Sequence, residues 1–412
     1  MERSLSLQQR RPVWLVALLL SAALVGLLTV VLTASTVALV ARGESATLDL
    51  SSFYTAGWLV REGHEEQLYD LDAQEAAQRE LSGENYDRPL VFAMPAFVAY
   101  AFAPVAALPL GAAYGVMWGM NLALLAGCLA MLREVLPPLS GVARRAFLAA
   151  AALSIPVASV LAAGQVDLLI LAALLGGYLL AQRGRPLEAG LVLSIVLMKP
   201  QLALGVLLLL LVTGQWRVLA PFVGMGAVLA AAPVLGMGFE AVRGNIEALG
   251  SVGMVEMMAN WRGFLVSLGL DDSFAVWGPG WALIALIALV LAVRCWRRDG
   301  VSTEQKWAVA LLLPVIVSPH LHGQSLVLLW PVGALMLREL WRAGRIDEVQ
   351  ALSITLLLFD ALFLRWAVTL SGVSPGVFLL VPLYAAVALL PTAQSRAPVA
   401  ALPPAKAKRQ AA

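Results

Sequence analysis

The chain has 412 residues, 60% hydrophobic and 13% charged, with a mean hydropathy of +0.84. Soluble domains run near half apolar and a quarter charged, so this composition excludes a water-soluble globule and equally a disordered chain. The formal charge of +2 hides an asymmetry: residues 44–88 hold eleven acids against three arginines, a net −8 that leaves the rest of the chain at +10.

What remains is an all-α, polytopic membrane helix bundle. At ~20 residues per crossing the length allows about a dozen spans and one substantial loop. The two cysteines, Cys128 and Cys295, lie in or beside apolar runs and form no disulfide framework.

In chain order, an apolar run over 12–40 follows Arg10 and Arg11. It exceeds the ~7–15-residue core of a signal peptide, so it reads as an uncleaved first helix. The acidic segment 44–88 then forms a first outer loop, with amphipathic stretches at 51–61 and 73–81. Residues 90–108 are apolar but broken by Pro95, Pro104 and Pro109, which predicts a re-entrant or interfacial element sheltered by protein. Spans are predicted at 110–132, 146–163, 166–182, 187–198, 201–213, 217–236, 275–293, 306–318, 323–341, 349–369 and 375–394.

With the first helix these make twelve crossings, and both termini lie inside. The split of 187–213 into two short helices at Lys199-Pro200 keeps Arg217 and the later basic loops on the inner face, where short loops collect Lys and Arg. Residues 1–395 form a single membrane domain with a second outer loop at 237–274. Residues 396–412 are a disordered basic cytoplasmic tail, and the chain belongs in a bacterial cytoplasmic membrane.

This threading sends arginine-rich connectors to one face and the chemically interesting residues to the other. Asp49 lies just after the first helix between Leu48 and Leu50, where partial desolvation favours a base. Lys199 is one of four lysines and the only one between apolar helices; an intramembrane cation is a functional site by default, here a partner for a lipid phosphate. The alternative is snorkelling to the headgroups.

His320 and His322, two of three histidines, form a turn after Ser318-Pro319 suited to stabilising, or giving a proton to, a departing phosphate. Asn260-Trp261-Arg262-Gly263 supplies a phosphate fork and a flat aromatic face, and Arg365 near an outer helix end meets phosphate or snorkels. Asp70 and Asp72 read as a solvated turn. No metal site is expected, since no His-Glu-x-x-His and no cysteine partner accompany the histidines. Nucleotide-binding and hydrolase motifs are missing as well, and basic residues scattered at membrane edges exclude nucleic acid as a partner.

The order of these motifs resembles glycosyltransferase family 87. The resemblance runs from Asp49-Leu-Ser-Ser-Phe53-Tyr54-Thr-Ala56-Gly57 and Leu68-Tyr69-Asp70 through Phe92-Ala-Met-Pro95, Leu108-Pro109, Trp118 and Asn121. It continues with Gly164-Gln165-Val166-Asp167, Ala189-Gly190, Lys199-Pro200, Gln215-Trp216-Arg217, Asn260 to Gly263 and Ser318-Pro319-His320. That family contains polyprenyl-phosphate-mannose-dependent α-mannosyltransferases with the GT-C type of membrane fold. The chain departs from it at Phe92-Ala93-Met94-Pro95-Ala96, where an aromatic-X-Tyr-Pro-Pro element is usual. It departs again at Gln324-Ser325, in place of a His/Tyr-Asp pair, and at Asp167, in place of Asn.

The resemblance implies transfer of a sugar, mannose first, from a polyprenyl-phosphate donor to a lipid or glycan acceptor hydroxyl at the outer face, with inversion. It implies Asp49 as the base. His320 and His322 assist the leaving group, and Lys199, Arg262, His320 and Arg365 hold the donor phosphate. Tyr54, Gln165, Asp167, Asn260 and Trp261 contact substrate. No cofactor or metal ion is implied, and a monomer is expected. A secondary transporter or lipid flippase is the rival class; it would scatter these polar groups along a central channel instead of gathering them near one surface.

Overall fold

The computed structural model describes residues 7–41, 48–82, 89–251 and 253–391, and every regular element among them is helical. The basic tail expected over 396–412 lies outside the described residues, as do parts of the first loop. α1 (Leu7–Ala41) is apolar on all sides and leaves Leu20, Leu24 and Leu27 exposed, the pattern of a helix solvated by lipid. The first loop then folds into α2 (Asp49–Arg61) and α3 (Leu71–Ser82). α2 is a core element and not a surface amphipath, because Leu50 through Gly57 are all buried. Asp70 caps α3 by accepting from the backbone N–H groups of Asp72 and Ala73, so the Asp-Leu-Asp stretch is a helix start.

Residues 89–95 run without regular structure into α4 (Ala96–Phe102), which packs on α2. Seven residues rise only about 10 Å, so this helix does not cross a bilayer by itself. Pro104 and Pro109 keep it short. After Pro109 comes α5 (Leu110–Val135), then α6 (Gly141–Ala152) and α7 (Ile155–Ala163), which Leu153-Ser154 separates. Ser140 caps α6 at the backbone N–H of Ala143, so helix begins five residues before the predicted 146.

Next are α8 (Asp167–Gln182), α9 (Pro186–Leu193), α10 (Pro200–Val212) and α11 (Trp216–Met237). The chain between α9 and α10 tightens into a 3-10 turn over Ser194–Met198 and breaks at Lys199. The break follows from Pro200, which disfavours helical backbone in the residue before it; Lys199 sits at φ −117°, ψ 88°. The second loop contains α12 (Glu240–Gly250) and α13 (Trp261–Ser267). α14 (Phe274–Arg297), α15 (Thr303–Val317), α16 (Leu329–Arg342), α17 (Glu348–Leu370) and α18 (Gly376–Leu389) complete the bundle. The span predicted from 323 starts as a 3-10 helix over Gly323–Leu328.

Six of these segments are long and apolar enough to cross a membrane: 14–38, 110–135, 141–163, 216–237, 274–297 and 348–370. The protein is therefore membrane-embedded. The shorter apolar helices α8, α9, α10 and α18 do not reach that length. An apolar run in sequence sets only an upper bound on a helix, because prolines and 3-10 turns break it.

The hub is α15, buried along its whole length from Ala308 to Val317 and packed against α10, α14, α16 and α18. α10 comes so close that a Cβ on Gly205 would lie 2.4 Å from the Cα of Pro314. Such approaches by small residues hold membrane helices together where lipid removes the hydrophobic drive. α15 ends in the Ser318–His322 turn, and so aims the histidines at the top of the bundle.

Candidate active site

At the end of the bundle where α2 begins and α15 finishes lies a cavity of about 340 Å³. Asp49, Gln165, Lys199, His320, His322 and Arg365 all line it. Residues from five separate stretches of an apolar chain thus meet in one chamber.

Asp49 is the first residue of α2. Its Oδ2 accepts from Gln165 Nε2 at 2.8 Å and from Gln324 Nε2 at 3.5 Å. Gln165 reaches it because α7 ends at Gly164 with φ +68°, directly under α2. A Cβ at Gly164 would fall 2.8 Å from Leu50 Cβ, so glycine is needed both for the left-handed turn and for the contact. Asn121 of α5, fully buried, donates to the Gln165 carbonyl at 3.0 Å and fixes the turn from below.

Asp167 opens α8 behind the chamber wall, where it is 0% exposed. Its two oxygens are divided between Lys199 Nζ at 2.7 Å and Ser325 Oγ at 2.6 Å. The ammonium of Lys199 therefore does not snorkel; it is held at the chamber by a buried carboxylate. One of its three N–H donors goes to Asp167.

The histidine rings pack edge-to-face with centroids 4.8 Å apart. Their turn is pinned by Ser318 Oγ donating to the His320 carbonyl and by Asn260 Nδ2 donating to the Ser318 carbonyl. Burial is the largest influence on both imidazoles, and nearby cations add to it. His320 is held well below the usual histidine range and His322 is lowered to about 4. Both are neutral at pH 7 in the unliganded chamber, so each offers one N–H and no charge.

Arg365 of α17 donates from Nη2 to the Met257 carbonyl at 2.8 Å. Arg365 Nε and His320 Nδ1 are buried without a hydrogen-bond partner among the described residues. Met254, also in the lining, is the one non-glycine among the described residues with positive φ (56°), a local strain of the kind found at functional sites.

The other predicted site residues lie elsewhere. Arg262 forks onto Asp272 at 2.7 and 2.6 Å and sits over the Trp277 ring, outside the chamber lining. Asn260 caps α13 through Gly263 and supports the histidine turn without lining the chamber. Trp261 packs on Gly280 in a separate crevice with Trp281 and Ile284. Tyr54 is buried, its hydroxyl donating to the Leu108 carbonyl at 2.7 Å, which ties α2 to the turn before α5.

Conversely, Gln324 and Ser325 both touch the central carboxylates, although the sequence marks them only as departures from a family pattern. The loop residues Leu90, Val91, Ala93 and Met94 form a further wall.

The sequence model of glycosyltransferase family 87 matches residues 92–319, more than half of the chain. No curated protein and no solved structure matches. The matched stretch includes Gln165, Asp167, Lys199 and Ser318, whereas Asp49, His320, His322 and Arg365 fall outside it and join the site through the fold.

Proposed function

From the premise that this chain belongs to glycosyltransferase family 87, we propose that it moves a sugar from a polyprenyl-phosphate carrier to an acceptor hydroxyl, with inversion, in the chamber around Asp49. Mannose is the first candidate sugar and a lipid or glycan the acceptor. The reading puts the chamber at the outer face of a bacterial cytoplasmic membrane, with the arginine connectors and both termini inside. One observation carries it: a carboxylate held by two amides shares a small chamber with an ammonium, a guanidinium and two imidazoles.

In the proposed step Asp49 takes the proton of the acceptor hydroxyl as that oxygen bonds to the anomeric carbon. The bond from that carbon to the phosphate oxygen breaks, and its electron pair leaves with the phosphate. Lys199 and Arg365 offset the charge that grows there, and the imidazole N–H groups donate to its oxygens. Arg365 Nε and His320 Nδ1, which lack partners among the described residues, support this reading because buried polar atoms are normally satisfied. A carrier phosphodiester bears a single negative charge, so side-chain cations suffice and no metal ion or cofactor is invoked. Convergence on one chamber favours a transferase over a transporter, whose ionisable groups line a midplane path.

The test is to incubate purified protein and an extract-derived acceptor with a panel of labelled polyprenyl-phosphate sugars and nucleotide sugars. Consumption of one polyprenyl-phosphate sugar, with release of polyprenyl phosphate, is expected. Consumption of a nucleotide sugar alone overturns the reading.

A further inference from the structure

α11 is one of the six spans, and it runs toward the chamber. Its start, Trp216 and Arg217, shares a cavity with Gly184 beyond the far end of α8, whereas Met237 at its end packs on the cluster that holds Leu50 and Phe53 of α2. Val223, Val228 and Leu235 stand exposed along its side, as on a helix that meets lipid. Gly238, at φ +66°, turns the chain directly into α12, and Leu249 near the other end of α12 lines the chamber. Eleven residues of helix, about 16 Å, therefore join two points at the same level of the bundle: the exit of a span and the chamber wall.

Three faces run along α12. On the packed face, a Cβ at Gly244 would fall 2.8 Å from the Cβ of Tyr69, and Ala248 is buried. Beside them Asn245 Nδ2 donates to the Ala93 carbonyl at 3.0 Å. Arg243 and Glu247, one turn apart, form an exposed ion pair at 2.9 Å on the second face. On the third, Phe239 at the N-cap, Val242 and Ile246 recur at helical spacing and are 83%, 47% and 65% exposed.

What covers the third face follows from its continuity with α11. Leu235, 87% exposed on the span, stands four residues before Phe239, so the apolar strip passes from a membrane helix onto α12. Lipid already solvates the strip on one side of the Gly238 turn. An apolar row flanked by a charged row is also the pattern of a helix lying in the plane of an interface. On a loop facing water, the same strip would be an aggregation liability.

We propose that α12 lies along the bilayer surface at the chamber end, with Phe239, Val242 and Ile246 among the acyl chains and Arg243 and Glu247 at headgroup level. The partner is the lipid surface itself. Anchored in this way, α12 holds Leu249, and with it one wall of the chamber, near the depth of the headgroups, whatever reaction the chamber performs.

The test places an environment-sensitive fluorophore along the helix. Cys128 and Cys295 are buried, so the unaltered full chain is the labelling blank. Val242→Cys, Ile246→Cys, Arg243→Cys and Glu247→Cys are each labelled with nitrobenzoxadiazole. The labelled chains are placed in phosphatidylglycerol–phosphatidylcholine nanodiscs, with or without nitroxide on the upper acyl carbons. All four positions are exposed, so the substitutions remove no core packing. Labels at 242 and 246 should emit further to the blue and lose several-fold more emission to nitroxide lipid than labels at 243 and 247. The latter pair should be the more sensitive to aqueous iodide. Equal, water-like emission at all four positions overturns the proposal. So does blue emission at 242 and 246 that nitroxide lipid fails to quench, which would mean that protein covers this face.

Discussion

The two ends of the helix bundle use charge in opposite ways. At the end where α5, α8 and α16 finish and α15 begins, cations meet anions or helix carbonyls. Arg183 bonds Glu134 at 2.7 Å, Arg338 caps the last carbonyls of α5, and Arg338 and Arg342 converge on the buried carboxylate of Glu304. Gln305 adds a clasp to the end of α18 through the carbonyls of Val387 and Leu390. At the other end, about 24 Å away along the 16 residues of α8, polar groups surround a chamber. There Arg365 Nε and His320 Nδ1 have no hydrogen-bond partner among the described residues. The arginines at the first end are used within the protein, on carboxylates and helix carbonyls, whereas the chamber keeps cationic and imidazole groups facing open space. Substitutions at the two ends should therefore act on different quantities.

The largest expected effect tests this directly. Asp49→Asn keeps the shape and the amide contacts but removes the proposed base, and should lower kcat by ~10²–10⁴. The unfolding midpoint in detergent should hardly move. Near-normal transfer by this variant would take the reaction away from α2 altogether.

Lys199→Met comes next, and it separates the two kinds of charge within one residue. The ammonium is buried against Asp167 and also faces the chamber. Loss of a phosphate-facing cation should cost ~10²–10³ in rate, by analogy with loss of an oxyanion donor. Leaving Asp167 buried without its partner should also cost stability, ~3–5 kcal/mol. If stability falls and the rate of the surviving folded fraction does not, Lys199 belongs with the structural charges and the comparison must be redrawn.

Arg342→Ala probes the opposite end. Glu304 keeps Arg338 at 3.5 Å, and Arg342 is half exposed, so the loss should be small, about 1 kcal/mol. The measurement is a lower unfolding midpoint with transfer unchanged. A fall in kcat without a fall in stability would show that the arginine end is coupled to the chamber.

Much of the chamber was legible before any fold was known, for a physical reason. In a chain with 13% charged residues, a carboxylate, a lysine or a histidine turn between apolar runs is conspicuous because its burial is costly. Asp49, Lys199, His320, His322 and Arg365 stand out this way, Gln165 enters with the family resemblance, and the break at Lys199-Pro200 is placed to keep Arg217 with the other basic loops. Pairing was not legible. Nothing in the sequence joins Asp167 to Lys199 and Ser325, or divides the donors of Gln165 and Gln324 over one oxygen of Asp49.

Arg262 illustrates the same limit. Its type suits a phosphate, but Asp272, ten residues on, occupies the fork. Tyr54 shares a motif with Asp49 yet points elsewhere, because five residues turn a helix well past one revolution. Rarity in sequence reveals that a residue has a task; only packing reveals its partner.

The smallest expected effect is a pH dependence at the histidine turn. Burial pushes both imidazoles down first. At His320 the neighbouring His322 adds most to this, then Lys199 and Arg262; at His322 Lys199, Arg365 and Arg262 add to it, and Asp167 opposes them only in part. For the unliganded fold the sign is that of a depressed base: this contribution to stability is full above about pH 6.5 and is lost as pH falls toward about 4. Ligand binding has its own sign. An anionic phosphodiester beside the rings favours the imidazolium and raises their affinity for protons, so binding takes up protons and tightens as the solution is acidified. A phosphodiester keeps one negative charge throughout this range, so the dependence belongs to the protein. The dissociation constant of a polyprenyl-phosphate sugar should fall several-fold between about pH 8 and pH 5, bounded by tenfold per unit for one proton. His322→Gln should flatten the curve. A constant affinity across that range would mean that the rings stay neutral beside the phosphate and contribute only as hydrogen-bond donors. Lys199 and Arg365 would then supply all the positive charge at the cavity end.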